Sequence, residues 1–317
     1  DKLQISVDYP EKNPKKIADY PDIYYIILDE YASLDTIKRI WGYDNGGFAD
    51  FLRGKGFFVS NNSKTRSKET VASLANSLNM EYITDYLIYE DAVEDYFDKF
   101  NNNKVMKYLK NKGYWTVSIE NMKEVFGVDG VDLSADVDLN VESEGMGAFG
   151  DLIINKSLLM PLLWSKYQTD NIYRTATLFN LDALKNINDS YRHPLFVFSH
   201  FICPHPPFVF GKNGEEVDVS NWFEWGTTNY RDQYIFLSDK MKEVVEHLLE
   251  KNKNSVIIIQ SDHGPRASDI VKSDKNFNIP EEEKYKIFYA IYAPKIDKTS
   301  MSDNISPVNT FRLIFNA

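Results

Sequence analysis

Residues 255–264, Ser-Val-Ile-Ile-Ile-Gln-Ser-Asp-His-Gly, constrain the fold of this chain more than any other stretch. A run of β-branched, uncharged residues of this length reads as a strand buried on both faces, as strands of a parallel sheet are. The run stops on Asp262, His263 and Gly264. In open α/β sheets, ligands bind beyond the carboxyl ends of the strands. An adjacent carboxylate and imidazole at such an end form half of a cation site. The competing reading is an Asp that caps the next helix beside an unrelated His.

A second stretch has the same construction. Ile23 to Leu28 reads as a buried strand and ends on Asp29 and Glu30. Two strand ends that carry Asp, Glu, Asp and His between them point to a shared cation. Acids also collect at helix N-termini, where they meet the positive end of the dipole, and residues 33–39 have a helical pattern. A third strand, Leu195 to Ser199, runs into His200 and then Pro204-His205-Pro206-Pro207-Phe208. Prolines on both sides hold His205 in a stiff loop outside any ladder, where its imidazole suits a cation or a bound phosphate. His200, nearer the strand, reads as structural, and Cys203 lies outside any zinc spacing.

Thr70 opens a helical pattern lined by the small residues Ala72, Ser73, Ala75 and Ser77. Its hydroxyl has two readings. As an N-cap it satisfies a free backbone N–H. As a nucleophile it gains from the same helix end, which stabilises an alkoxide and an attached phosphate.

Composition narrows the classes. The net charge of −11 and the lack of a Lys/Arg patch argue against a nucleic-acid surface. One cysteine excludes an internal disulfide and a Cys-based zinc cluster. No apolar run reaches the ~18–20 residues needed to span a bilayer. Residues 1–21 read as a polar, Lys-rich lead-in, and residues 22–317 as a catalytic domain cut short at its C-terminus. The chain thus reads as an excised domain, so absent targeting signals carry no weight. Helix–turn–strand units such as 105–119 predict a mostly parallel sheet with helices on both faces, a three-layer α/β/α sandwich. Residues 121–188 read as an insertion beside the cleft. It holds an acidic section at 129–144 and helical patterns over 152–163 and 173–187.

Taken in order, Tyr25 to Glu30, Thr70-x-x-Ser73-Leu74, Pro204 to Phe208 and Ser261-Asp262-His263-Gly264 resemble the alkaline-phosphatase/sulfatase superfamily. They look most like the branch of the lipoteichoic acid synthases and phosphoethanolamine transferases. The likeness runs from about Asp22 to the end of the chain. It implies one divalent metal ion (Mn, Zn, Mg or Ca) held by Glu30, Thr70, Asp262 and His263, with Asp29 as a further candidate. It makes Thr70 the nucleophile and sets His205 against the substrate phosphate. The chain departs from the pattern in three places. There is no Cys/Ser-x-Pro-x-Arg around Thr70, as formylglycine sulfatases require. No His follows His263, which favours one metal over two. Arg266 stands where the transferases often carry Glu, free to pair with substrate phosphate or a nearby carboxylate.

The chemistry that follows is metal-assisted attack by Thr70, a phospho-threonine intermediate, and transfer to an alcohol or to water. The substrate is expected to be a phospholipid or a cell-envelope glycan, met outside the membrane by a domain tethered through segments beyond this chain. A sulfatase or phosphodiesterase of the same fold is the alternative, and a non-catalytic binding module is a third reading.

Overall fold

The computed structural model describes residues 20–83, 91–123, 133–141, 172–187, 191, 193–218, 220, 223, 225, 228–266, 277 and 279–316. Its strands are β1 (Ile23–Leu28), β2 (Phe58–Ser60), β3 (Trp115–Ile119), β4 (Val137–Leu139), β5 (Leu195–Phe201), β6 (Val256–Ser261) and β7 (Tyr289–Tyr292). The helices are α1 (Leu34–Trp41), α2 (Gly46–Gly54), α3 (Thr70–Asn79), α4 (Asp91–Asn101), α5 (Lys104–Asn111), α6 (Ile172–Asn186), α7 (Asn229–Lys251) and α8 (Thr310–Phe315). The predicted helix at 152–163 and most of the lead-in at 1–21 lie outside the described residues.

The strands form one sheet in the order β2-β7-β6-β1-β5-β3-β4. The three strands legible from their apolar runs occupy its centre. β1 pairs in parallel with β5 on one side and β6 on the other, with Ile27 opposite both His200 and Gln260. Each of these strands is buried along its whole length. Towards the other edge β7 runs antiparallel to both β6 and β2. Its regular pairing starts at Tyr289, after a 3₁₀ turn over residues 281–285.

Side chains alternate across β1 and so sort into two cores. Tyr24, Ile26 and Leu28 pack with Ile37, Leu52, Leu184 and Leu237 from α1, α2, α6 and α7. Ile23, Tyr25 and Ile27 pack with Leu74, Phe100, Leu109 and Phe311 from α3, α4, α5 and α8. The result is the three-layer sandwich. Truncating a residue such as Ile26 to Ala would cost about 2–5 kcal/mol at this depth. Two described parts of residues 121–188 belong to these layers: β4 pairs in parallel with β3, and α6 covers β5.

Local sequence sets the helix ends. Ser33 accepts from the Thr36 N–H at 3.2 Å to start α1, and Gly42, at φ 67°, ends it in the left-handed region. Asn103 starts α5 in the same manner, through the Met106 N–H at 2.8 Å.

Candidate active site

The carboxyl ends of β1, β5 and β6 and the start of α3 meet at one point. At the end of β1, Glu30 has φ 57°, a conformation that costs a non-glycine residue about 1 kcal/mol or more. Two groups hold it there. The Tyr230 hydroxyl donates to the Glu30 carbonyl at 2.7 Å and accepts from the Ala32 N–H at 3.0 Å. The Glu30 N–H donates to Asp262 Oδ1 at 3.2 Å. This turn separates the two acids. Asp29 faces the cluster, whereas Glu30 Oε1 accepts from Arg266 Nε at 2.9 Å. Arg266 also reaches Glu69 Oε2 at 2.8 Å, so this guanidinium joins the residue after Asp29 to the residue before Thr70.

At the end of β6, Asp262 Oδ1 accepts from the His263 N–H at 2.8 Å as well as from Glu30. Its Oδ2 is left facing the cluster. His263 Nδ1 donates to the Gly264 carbonyl at 2.9 Å, which places the hydrogen on Nδ1 and the lone pair on Nε2. That Nε2 lies 3.2 Å from Asp262 Oδ2 and 3.7 Å from Asp29 Oδ1. Gly264 is required by close approach: a Cβ there would strike the backbone carbonyl of Glu283.

Thr70 is the first residue of α3. Glu69 occupies the cap position, and no side chain caps the helix. The Thr70 hydroxyl instead lies 3.3 Å from His263 Nε2. Ser73 fixes this helix end to the site by donating to the Asp262 carbonyl at 2.6 Å.

His205 joins from its loop. Its N–H donates to the Asp29 carbonyl at 3.2 Å, and its Nδ1 to the Pro206 carbonyl at 2.5 Å. Burial holds its imidazole below the ordinary range, against the opposing pull of Glu30. The loop is clamped by Gln233 of α7, whose Oε1 accepts from the N–H groups of Val209 and Phe210 at 2.7 and 3.1 Å. Its Nε2 donates to the carbonyls of Pro204 and His205, both at 3.2 Å. Nothing local in the sequence marks Gln233 or Tyr230 for this site. Cys203 is buried, with its thiol pushed up by burial and then by the charge of Asp29, so it is an inert neighbour.

His200, read from sequence as structural, also reaches the cluster. Asp29, His200 and Asp262 offer ligand atoms that all lie within 4.8 Å of one another. Asp29 Oδ1, Glu30 Oε2, Asp262 Oδ2 and His200 Nε2 are buried without a hydrogen-bond partner among the described residues. Burying such acceptors together is costly unless something positive lies between them. The electrostatics agree. Burial and then the charge of Asp262 push the Asp29 carboxyl well up. Asp262 is held below its ordinary value: burial pushes it up, but its surroundings, the His263 N–H bond among them, outweigh that effect. Hard oxygens and imidazole nitrogens at these separations fit a divalent cation with bonds of about 2.0–2.2 Å.

Solved structures with the same fold share little sequence with the chain. The C-terminal periplasmic domain of EcEptC from Escherichia coli, in complex with Zn, aligns with a TM-score of 0.58 at 13% identity, over 92% of this chain and 81% of that one. Lipooligosaccharide phosphoethanolamine transferase A from Neisseria meningitidis, an integral membrane protein, aligns with a TM-score of 0.59 at 13% identity. That alignment covers 94% of this chain and 55% of the transferase. The lipoteichoic acid synthase LtaP from Listeria monocytogenes gives a TM-score of 0.53 at 14% identity, over 88% of this chain and 66% of LtaP. Among curated proteins none matches. At family level, the model described as Sulfatase matches residues 44–316. The chain belongs to the sulfatase family, enzymes of the alkaline-phosphatase-like superfamily.

Proposed function

We propose that the chain is a metal-dependent phosphotransferase that uses Thr70 as its nucleophile. The observation that carries this reading is the Thr70 hydroxyl, which makes no cap and sits 3.3 Å from His263 Nε2 beside the Asp262 carboxylate. Asp29, Asp262, His263 and Thr70 would hold one divalent cation. Glu30 binds Arg266 through Oε1, and its Oε2, buried without a hydrogen-bond partner among the described residues, stays a candidate ligand. When bound, the cation supplies charge neutralisation for the phosphate and a lowered pKa for the hydroxyl.

The chain's own residues do the rest. Thr70 Oγ forms its bond to phosphorus as the bond to the leaving alcohol breaks. His205, whose Nδ1 donates to the Pro206 carbonyl, would exchange a proton with the leaving or the entering alcohol. Arg266, braced by Glu30 and Glu69, sets the positive edge of the phosphate position. An acceptor alcohol, or water, then takes the group from Thr70.

The proposed substrate is a phospholipid or cell-envelope glycan phosphate. It rests on structural neighbours that include a lipooligosaccharide phosphoethanolamine transferase and a lipoteichoic acid synthase. The domain would work on the extracellular face of the cytoplasmic membrane. Among the described residues no helix is long and apolar enough to cross a membrane, so the tether would be other segments of the native protein. Incubation with candidate phospholipids should release diacylglycerol and add the mass of the phosphorylated head group to the peptide carrying Thr70. Thr70→Asn should keep its fold and lose both the adduct and turnover. Retained turnover in that variant overturns the assignment.

A further inference from the structure

We infer that His200 is a ligand of the cation and that Glu120 is the residue that makes it one. This rests on the proposal above that a cation binds, and adds to it a ligand and a positioning carboxylate.

The placement follows from the sheet. β5 lies between β1 and β3, so the end of β5 is bordered by Asp29 on one side and Glu120 on the other. His200 is the second-last residue of β5 and is paired with Ile27. It therefore points to the sheet face that α3 covers, where Thr70 begins. Glu120 follows the last residue of β3 directly. Its N–H donates to the Leu139 carbonyl at 3.3 Å, and its Oε1 accepts from the Met122 N–H at 2.7 Å, so the carboxylate is fixed. The His200 backbone is fixed as well. Asn180 Nδ2 donates to its carbonyl at 2.6 Å, and Asn121 Nδ2 donates to Asn180 Oδ1 at 2.8 Å.

The imidazole between them has two distinct nitrogens. Nδ1 lies 3.4 Å from Glu120 Oε1, and a carboxylate only accepts, so the hydrogen sits on Nδ1. Nε2 then carries a lone pair. It is buried without a hydrogen-bond partner among the described residues and faces Asp29 Oδ2 at 3.7 Å. His263 has the same construction: Nδ1 is tied to a carbonyl and Nε2 lies 3.7 Å from the other Asp29 oxygen. One carboxylate thus lies between two imidazole lone pairs, each aimed by an acceptor behind it. A carboxylate behind a ligating histidine fixes the ring and raises its basicity, and its loss commonly costs about 10–100-fold in metal affinity.

Two imidazoles and two carboxylates also narrow the cation. Imidazole nitrogen suits Zn and its transition-metal neighbours, whereas Mg and Ca prefer oxygen alone. The site should therefore select Zn over Mg or Ca.

The test uses the full chain stripped with a chelator, titrated with Zn against a chromogenic competitor, and separately loaded with Co(II) for its visible spectrum. His200→Gln should weaken Zn binding by about 100-fold or more and Glu120→Gln by about 10–100-fold. Both variants should shift the Co(II) bands and narrow the preference for Zn over Mg. The cation-free proteins should melt close to the unmodified chain. Unchanged Zn affinity and Co(II) bands in both variants overturn this inference alone. Weaker binding with unshifted bands and a lowered cation-free melting temperature in both variants assigns His200 and Glu120 to structure and overturns it too. Failure of the unmodified chain to bind any divalent cation overturns the parent reading instead.

Discussion

The Glu30 N–H donates to Asp262 Oδ1 across 232 residues of chain, at 3.2 Å. With the His263 N–H on the same oxygen, this bond turns Oδ2 towards Asp29 and ties the ends of β1 and β6 together. Asn at 262 keeps the accepting oxygen and removes the charge. Asp262→Asn should therefore fold, and its cation-free melting temperature should stay near that of the unmodified chain. A cation at a hundredfold excess over Kd stabilises the unmodified chain by about 2.7 kcal/mol. Differential scanning calorimetry with and without Zn should show that gain disappear in the variant.

Gln233 tests how firmly the His205 loop must be held. Gln233→Leu leaves the Val209 and Phe210 N–H groups buried and unpaired, at about 1–3 kcal/mol each. A total loss of about 2–6 kcal/mol is expected in urea unfolding. Native-state hydrogen exchange should show the amides of 208–210 exchanging faster while those of β1 do not.

Gly264 and Gly47 make a matched pair. A Cβ on Gly264 would strike the Glu283 carbonyl and stand 2.8 Å from that of Lys286, and backbone there cannot yield cheaply. Glu283 is itself pinned by Thr36, Lys286 and Arg39. Gly264→Ala should cost at least about 2 kcal/mol and abolish cation binding with it. Gly47, exposed in α2 with open space around its Cβ, should gain about 0.5–1 kcal/mol as Ala. Chemical denaturation measures both.

Cys203 reports on opening of the His205 loop. Its thiol is buried, and burial and then the Asp29 charge push it above the ordinary range. A thiol reagent should label none of it in the native protein and one equivalent after denaturation. In Gln233→Leu, labelling should become measurable under native conditions.

The sequence carried the centre of the sheet plainly, because β1, β5 and β6 are unbroken apolar runs. β4 was not legible: three residues with Asp138 in the middle make no pattern inside an acidic section. The four strand-end residues were legible as a group, but their division was not. That Glu30 reaches Arg266 while Asp29 faces His200 and His263 depends on a left-handed φ at Glu30, held by Tyr230 from two hundred positions away. His200 looked structural for a similar reason, since the partner of its Nδ1 comes from β3, eighty residues earlier. Long-range partners of this kind leave no local mark on a sequence.

Thr70 stands one place inside α3, with Glu69 at the cap. A hydroxyl that capped its own helix would surrender that bond whenever it took on another atom, and the first turn would loosen with each load. Here the helix end is anchored separately, by Ser73 on the Asp262 carbonyl and by the Ser73 N–H on the Glu69 carbonyl. The hydroxyl is mechanically uncoupled from the scaffold that presents it. On the proposed mechanism, a group would be loaded onto it and taken off again while the surrounding backbone keeps still.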